Sequence, residues 1–245
     1  MNDGAGELGF IGKTAALARK DLRIEMRGRE TLPPMLAFAF TVSLVLAFSL
    51  PGSSRLGAPL QTPAGTVLVA DVLAGFLWIT VLFSGLFGFA RTFEVERAEG
   101  ALDALLLVPL DRSGLFAAKA VANLVFIVTV EAFIVPVFAL FFGLRLGAGW
   151  PLLVLVVALA DVGFVAIGTL FSSLAAQTRS RELLLPILAL PALVPVFIAA
   201  VELTSDLFLG AGFEAVAARG WFTILAIFDV VFVVVGALAF EFVID

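Results

Sequence analysis

The chain has 245 residues, of which 62% are hydrophobic and only 14% charged, with a mean hydropathy of +1.14, and no water-soluble domain conceals that much apolar surface. It contains no Cys and no His, which excludes disulfides and thiolate chemistry and removes the commonest metal, haem and general-base side chain, so no catalysis and no metal site are expected of it. Its formal net charge of -5 averages a basic rim with scattered carboxylates and gives no support to nucleic-acid binding.

Residues 1–32 read as a cytoplasmic N-terminus built around an amphipathic helix. From Thr14 to Glu30, Ala15, Ala18, Leu22 and Met26 fall on one side and the interfacial basic residues Arg19, Lys20, Arg23 and Arg27 on the other. That pattern suits a helix lying on the inner leaflet, basic face toward anionic lipid, and equally a lever joining a moving partner to the first span. Gly12-Lys13-Thr14 imitates the end of a phosphate-binding loop, but the glycine that motif requires five positions earlier is Glu7, and no strand precedes it. If ATP drives this protein, another subunit must bind it. The first long apolar run starts at Pro33 without a cleavage pattern and is expected to remain as an anchor.

Residues 33–245 read as a transmembrane domain of six membrane-spanning helices. Crossing the ~30 Å hydrocarbon layer takes roughly 20 apolar residues. Pro33 to Leu50, Val67 to Phe89, Val121 to Phe142, Leu152 to Leu174, Leu183 to Val201 and Trp221 to Phe242 qualify. Backbone groups in lipid must be satisfied within the segment, and barrel-type alternation is absent, so the expected fold is an all-α integral membrane protein. With the N-terminus inside, twelve Lys and Arg fall on the inner side, while only Arg55, Arg145 and Arg219 fall outside. This asymmetry predicts a multi-pass membrane protein with both termini cytoplasmic.

Between the second and third spans, an acidic turn holding Glu94, Glu96 and Glu99, then Gly100, the apolar run Ala101 to Leu107 and the stop at Pro109 predict a short helix on the inner surface, residues 94–109, shaped to meet a cytosolic partner. Glu131 and Asp161 each lie about halfway along a span, where a carboxylate costs about 2.5 to 3.5 kcal/mol. They read either as a polar lining or proton relay, or as a protonated carboxyl hydrogen-bonded between helices, with Asn123 and Thr129 as nearby polar residues; the interhelical bond is the commoner arrangement. Asp71 and Asp229, nearer the outer ends, are expected to be solvated. Ser84 and Gly88 have the small-xxx-small spacing of close internal helix packing. Pro186, Pro191 and Pro195 predict a broken or kinked fifth span, and Phe213 to Arg219 a small outward or re-entrant helix.

Glu99-Gly100-Ala101-Leu102-Asp103, Leu105-Leu106-Leu107, Pro109 and Lys119 resemble the coupling-helix region of ABC-2-type exporter permeases, and the six spans with an amphipathic N-terminal helix match that architecture. Within it, the chain is most similar to the haem exporter B (CcmB) family of cytochrome c maturation. The likeness is carried by Lys20-Asp21-Leu22-Arg23-Ile24-Glu25-Met26-Arg27, Phe40 to Leu50, Leu77-Trp78-Ile79-Thr80 with Gly88 and Arg91, and Leu106-Leu107-Val108-Pro109-Leu110-Asp111-Arg112-Ser113 leading to Ala118-Lys119. It covers about residues 15 to 245. The resemblance implies ATPase-coupling roles for Glu96, Glu99, Gly100, Leu102, Leu105, Leu106, Pro109 and Lys119. It also implies a separate CcmA-like ATPase subunit, a second permease copy, membrane lipid, other cytochrome c maturation membrane proteins and a haem chaperone as partners, with haem as the candidate substrate and no cofactor held by this chain. The same residues leave open whether haem itself crosses or ATP-driven work releases a haem-loaded chaperone. Two alternatives stand beside this reading: an ABC-2-type permease for lipid or polysaccharide, separable by an envelope-glycan defect with normal c-type cytochromes, and a proton-coupled secondary transporter, separable by transport that follows a proton gradient without ATP.

Overall fold

The computed structural model describes residues 9–50, 56–63, 65–93, 112–144, 149–176, 178 and 181–243. The 94–109 stub, with Glu96, Glu99, Gly100, Leu102, Leu105, Leu106 and Pro109, lies outside the described residues. The described elements are α1 (Phe10–Gly28), α2 (Leu32–Ser49), a hairpin of β1 (Pro59–Thr62) and β2 (Gly65–Leu68), α3 (Val69–Arg91), α4 (Arg112–Phe142), α5 (Trp150–Ala176), α6 (Arg181–Phe208), α7 (Phe213–Ala218) and α8 (Trp221–Val243). Six of them, α2, α3, α4, α5, α6 and α8, are long and apolar enough to cross a membrane.

Local chemistry sets the helix limits. Pro33 and Pro34 occupy the first turn of α2, where a backbone N–H has no intrahelical acceptor to lose. Leu50, followed by Pro51, turns extended at φ -89° and ψ 140° and closes that helix. Asp71 Oδ2 accepts the Leu68 N–H at 3.0 Å at the start of α3. α4 has 31 residues and so is about 46 Å long at 1.5 Å per residue, well beyond a ~30 Å layer. The third span therefore begins earlier than its apolar run at Val121, and Lys119 sits within it.

Two expectations are corrected. Of the broken or kinked fifth span expected, the break is absent: the helix is continuous through Pro186, Pro191 and Pro195; in lipid, neighbouring helices re-satisfy the carbonyls that proline leaves unpaired. That helix also runs to Phe208 rather than Val201, because Glu202 and Asp206 in its last turns are paired with Arg219 just beyond α7. The β1–β2 hairpin, paired antiparallel with Leu60 opposite Val67, has no counterpart in the sequence reading. α7 is the small helix expected between the last two spans.

The core lies between α3 and α5. Each buries 61% of its membrane-length window inside the protein, against 22% for α2 and 17% for α8. The two central helices interlock reciprocally: a Cβ on Gly85 of α3 would overlap the ring of Phe164, and one on Gly168 of α5 the ring of Phe89. The two rings meet edge to face at 5.0 Å. Ser84 and Gly88 face α2 instead, where Ser84 Oγ donates to the Met35 carbonyl at 3.4 Å and Gly88 packs on the Met35 side chain. The bundle thus has an α1 end and, opposite it, a hairpin end.

Candidate functional site

The densest polar chemistry is at the α1 end, where α1, α2, α3, α4 and α5 converge. Lys119, 2% exposed, is its centre. Its Nζ lies 2.9 Å from Asp21 Oδ2 of α1, donates to the Thr92 carbonyl at 3.1 Å and stands 5.4 Å from the centroid of the Phe93 ring. A buried ammonium is tolerated only with such partners. Thr92 and Phe93 are the last described residues before 94–111, so Lys119 fastens the third span to the root of the segment holding the stub.

One turn along α4, Asn123 continues the network. Its Oδ1 accepts from Thr92 Oγ1 at 3.0 Å, and its Nδ2 donates to Thr169 Oγ1 of α5 at 3.0 Å. Glu25 brings in the first span, its Oε1 accepting the backbone N–H groups of Thr31 and Leu32, each at 2.8 Å. Arg91 of α3 reaches the link between α1 and α2, donating to the Glu30 carbonyl at 3.0 Å and to Glu30 Oε2 at 3.2 Å. Asp21, Glu25, Arg91, Thr92, Lys119 and Asn123 line a cavity of about 60 Å³. Such a volume holds a few waters and no organic substrate. The arrangement ties five helices together at one end of the bundle.

The amphipathic helix docks differently from the expectation. Its buried positions are Thr14, Ala18 and Glu25. Ala15 is exposed and Met26 is 77% exposed, so this part of the apolar side stays open toward the lipid on which the helix is expected to lie. The face is chosen by fit to α4, where Lys119 awaits a carboxylate, more than by apolarity. Arg19, Arg23 and Arg27 are exposed, while Lys20 lies 3.4 Å from Asp21.

The intramembrane carboxyls separate into two places. Glu131 of α4 and Asp161 of α5, 5% and 1% exposed, face each other across the helix interface. Asn123 and Thr129 are not their companions: Asn123 belongs to the Lys119 network and Thr129 Oγ1 donates to its own helix at Val125 O. Asp229, expected to be solvated, is 7% exposed and its carboxyl rests against the backbone of Gly163 on α5. The missing side chain at Gly163 admits it. Asp71 is exposed as expected and also accepts from Ser205 Oγ of α6. At the hairpin end Arg219 grips Asp206 at 2.7 and 2.8 Å and also pairs with Glu202. Among the described residues no group of three or more His, Cys, Asp or Glu side chains is placed to hold a metal ion.

Sequence reasoning found Lys119 and the carboxyl pair and missed Asp21, Glu25, Thr92 and Thr169 as site residues. The signal for the first two was present: Asp21 and Glu25 are four apart, so they share a helix face with the buried Ala18.

The family described as CcmB protein matches residues 13–245. A heme exporter protein B of Rhodobacter capsulatus is 28% identical over 188 residues, covering 77% of this chain and 80% of that one. The heme exporter protein B of Haemophilus influenzae is 28% identical over 185 residues, 74% and 76% of the two chains, and that of Pseudomonas aeruginosa 25% identical over 182 residues, 74% and 75%.

Proposed function

The chain belongs to the CcmB protein family, and from that premise we propose that it is the permease subunit of the haem-export system of cytochrome c maturation, a multi-pass protein of the bacterial inner membrane. It is not itself an enzyme. A separate ATPase subunit supplies the work, a second permease copy completes a two-fold assembly, other membrane proteins of cytochrome c maturation and a haem chaperone join it, and both termini face the cytoplasm. The reading is supported by one observation above all: the buried Lys119 ties the root of residues 94–111 simultaneously to the third span and, through Asp21, to the basic N-terminal helix.

ATP-driven closure of the motor pushes the stub, in which Glu96, Glu99, Gly100, Leu102, Leu105, Leu106 and Pro109 form the contact. Lys119 passes the displacement into α4. Arg19, Arg23 and Arg27, exposed on the opposite side of α1, hold that helix at the anionic lipid surface. Glu131 and Asp161 serve as interhelical glue, the two carboxyls meeting across the α4–α5 interface.

The test is a mild-detergent pull-down of the tagged chain from its own membranes, with mass spectrometry of partners and a haem absorbance scan. Co-purification of an ATPase with cytochrome c maturation proteins is expected; a reproducibly solitary chain, or an ATPase accompanied by glycan or lipid enzymes, refutes the assignment. Leu105→Glu, made in parallel, should abolish c-type cytochromes while the chain still inserts, and unchanged ATPase assembly and function would remove the stub from the mechanism.

A further inference from the structure

The first span begins Thr31-Leu32-Pro33-Pro34-Met35. A helix leaves its first four backbone N–H groups without intrahelical acceptors. Here Pro33 and Pro34 have no N–H, and Met35 already donates to the Thr31 carbonyl at 3.4 Å. Only the N–H groups of Thr31 and Leu32 remain, and Glu25 Oε1 accepts both at 2.8 Å. The Thr31 side chain, at the position from which a threonine ordinarily caps its own helix, makes no capping bond. Glu25 is 8% exposed and sits in the last full turn of α1, one turn from Asp21. A single carboxylate from another helix therefore satisfies the whole start of the first span and places negative charge at its positive dipole end.

We propose that Glu25 is a positioning residue that makes α1 and the start of the first span one moving body, so that a displacement reaching α1 through Asp21 and Lys119 is delivered to the first span through Glu25 Oε1. The main chain between the two helices is a three-residue link that Arg91 also holds at Glu30, so Glu25 adds a second, side-chain connection to it. It passes through Arg29 at φ 52°, a left-handed turn, and through the exposed Glu30. With the carboxylate in place, two spans follow one interfacial helix, the third through an ion pair and the first through a shared cap. The purpose of this linkage rests on the permease reading above, whereas the linkage itself is geometric and is tested separately.

The sequence supplies a clean reporter: a proteolytic peptide of residues 29–34 loses the label of its first two residues to back-exchange and, since Pro33 and Pro34 have no N–H, keeps it only at Thr31 and Leu32. Hydrogen exchange is measured by mass spectrometry on the full chain in nanodiscs of its own lipid. Wild type and Glu25→Gln should protect those two amides, since the amide oxygen of Gln accepts as the carboxylate does, and Glu25→Ala should speed their exchange about tenfold or more, the loss of roughly 1.4 kcal/mol. In cells, Glu25→Ala should lower the yield of c-type cytochromes while the ATPase still co-purifies, and Glu25→Gln should restore it. Unprotected amides in the wild type overturn the proposal even if Glu25→Ala fails to accumulate. It is equally overturned by unchanged exchange in Glu25→Ala, or by Glu25→Gln exchanging as fast as Glu25→Ala. If no ATPase co-purifies with the wild type, the functional reading falls and the exchange result stands on its own.

Discussion

Lys119→Ala probes the α1-end network most directly. The Lys119 side chain is 3% exposed and its partner Asp21 11%, with 2.9 Å between Nζ and Oδ2. Truncation leaves Asp21 facing a cavity it shares with Glu25, and it deprives the Thr92 carbonyl of its donor. Removing one member of a buried pair costs about 3–5 kcal/mol, chiefly the burden of the charge left behind. Lys20, 3.4 Å from Asp21 and 40% exposed, offsets part of this, so about 3 kcal/mol is expected. Asp21→Ala should cost a similar amount by stranding the ammonium against Phe93, whereas the double variant should cost less than the sum, with a coupling energy of about 1–3 kcal/mol. The assay is reversible unfolding in mixed micelles followed by the fluorescence of the three tryptophans. Additivity of the two single losses to within about 0.5 kcal/mol would show that the ion pair is incidental and would refute the reasoning.

Gly168→Ala forces a Cβ into the ring of Phe89 and should destabilise the bundle by about 1–3 kcal/mol in the same unfolding assay, with a neutral result showing that α3 and α5 are free to separate. Glu131→Gln gives the carboxyl pair a fixed donor, so stability within about 1 kcal/mol of wild type and normal cytochrome maturation are expected; loss of maturation with an intact fold would return the pair to the role of proton relay. Arg219→Ala removes the contacts to Asp206 and Glu202 from a side chain 45% exposed, so the global cost should stay below about 1 kcal/mol, while amide exchange across Phe213–Ala218 should rise. Unchanged exchange there would mean that apolar contacts alone seat that helix.

The spans were legible because lipid leaves the backbone one solution per apolar segment, and their limits shifted mainly where polar residues found partners. Glu202 and Asp206 lengthened α6 because Arg219 came to meet them. The carboxyls of Glu131 and Asp161 were legible as residues out of place, since any ionisable group at that depth must face protein. Less could be read of partnership. Helical periodicity showed that α1 has an apolar and a basic side but not that a further face, with Asp21 and Glu25, meets α4 and the first span, because an ion pair with a lysine about a hundred positions away leaves no local cue. Asp229 was misjudged for the same reason: its shelter is a missing side chain, Gly163, on a different helix. The three prolines of α6 signalled a break because proline statistics come from water, where a freed carbonyl has less need to keep its helix.

The reciprocal insertion of Phe89 at Gly168 and Phe164 at Gly85 has a kinematic consequence. Two pegs in two sockets, at different heights on the same pair of rods, forbid both rotation and sliding, whereas a single peg would leave a pivot. The α3–α5 pair therefore behaves as a fixed axle. On the reading proposed above, the stroke is then expected from the helices around that axle, beginning with α4 and α2, which Lys119 and Glu25 tie to α1.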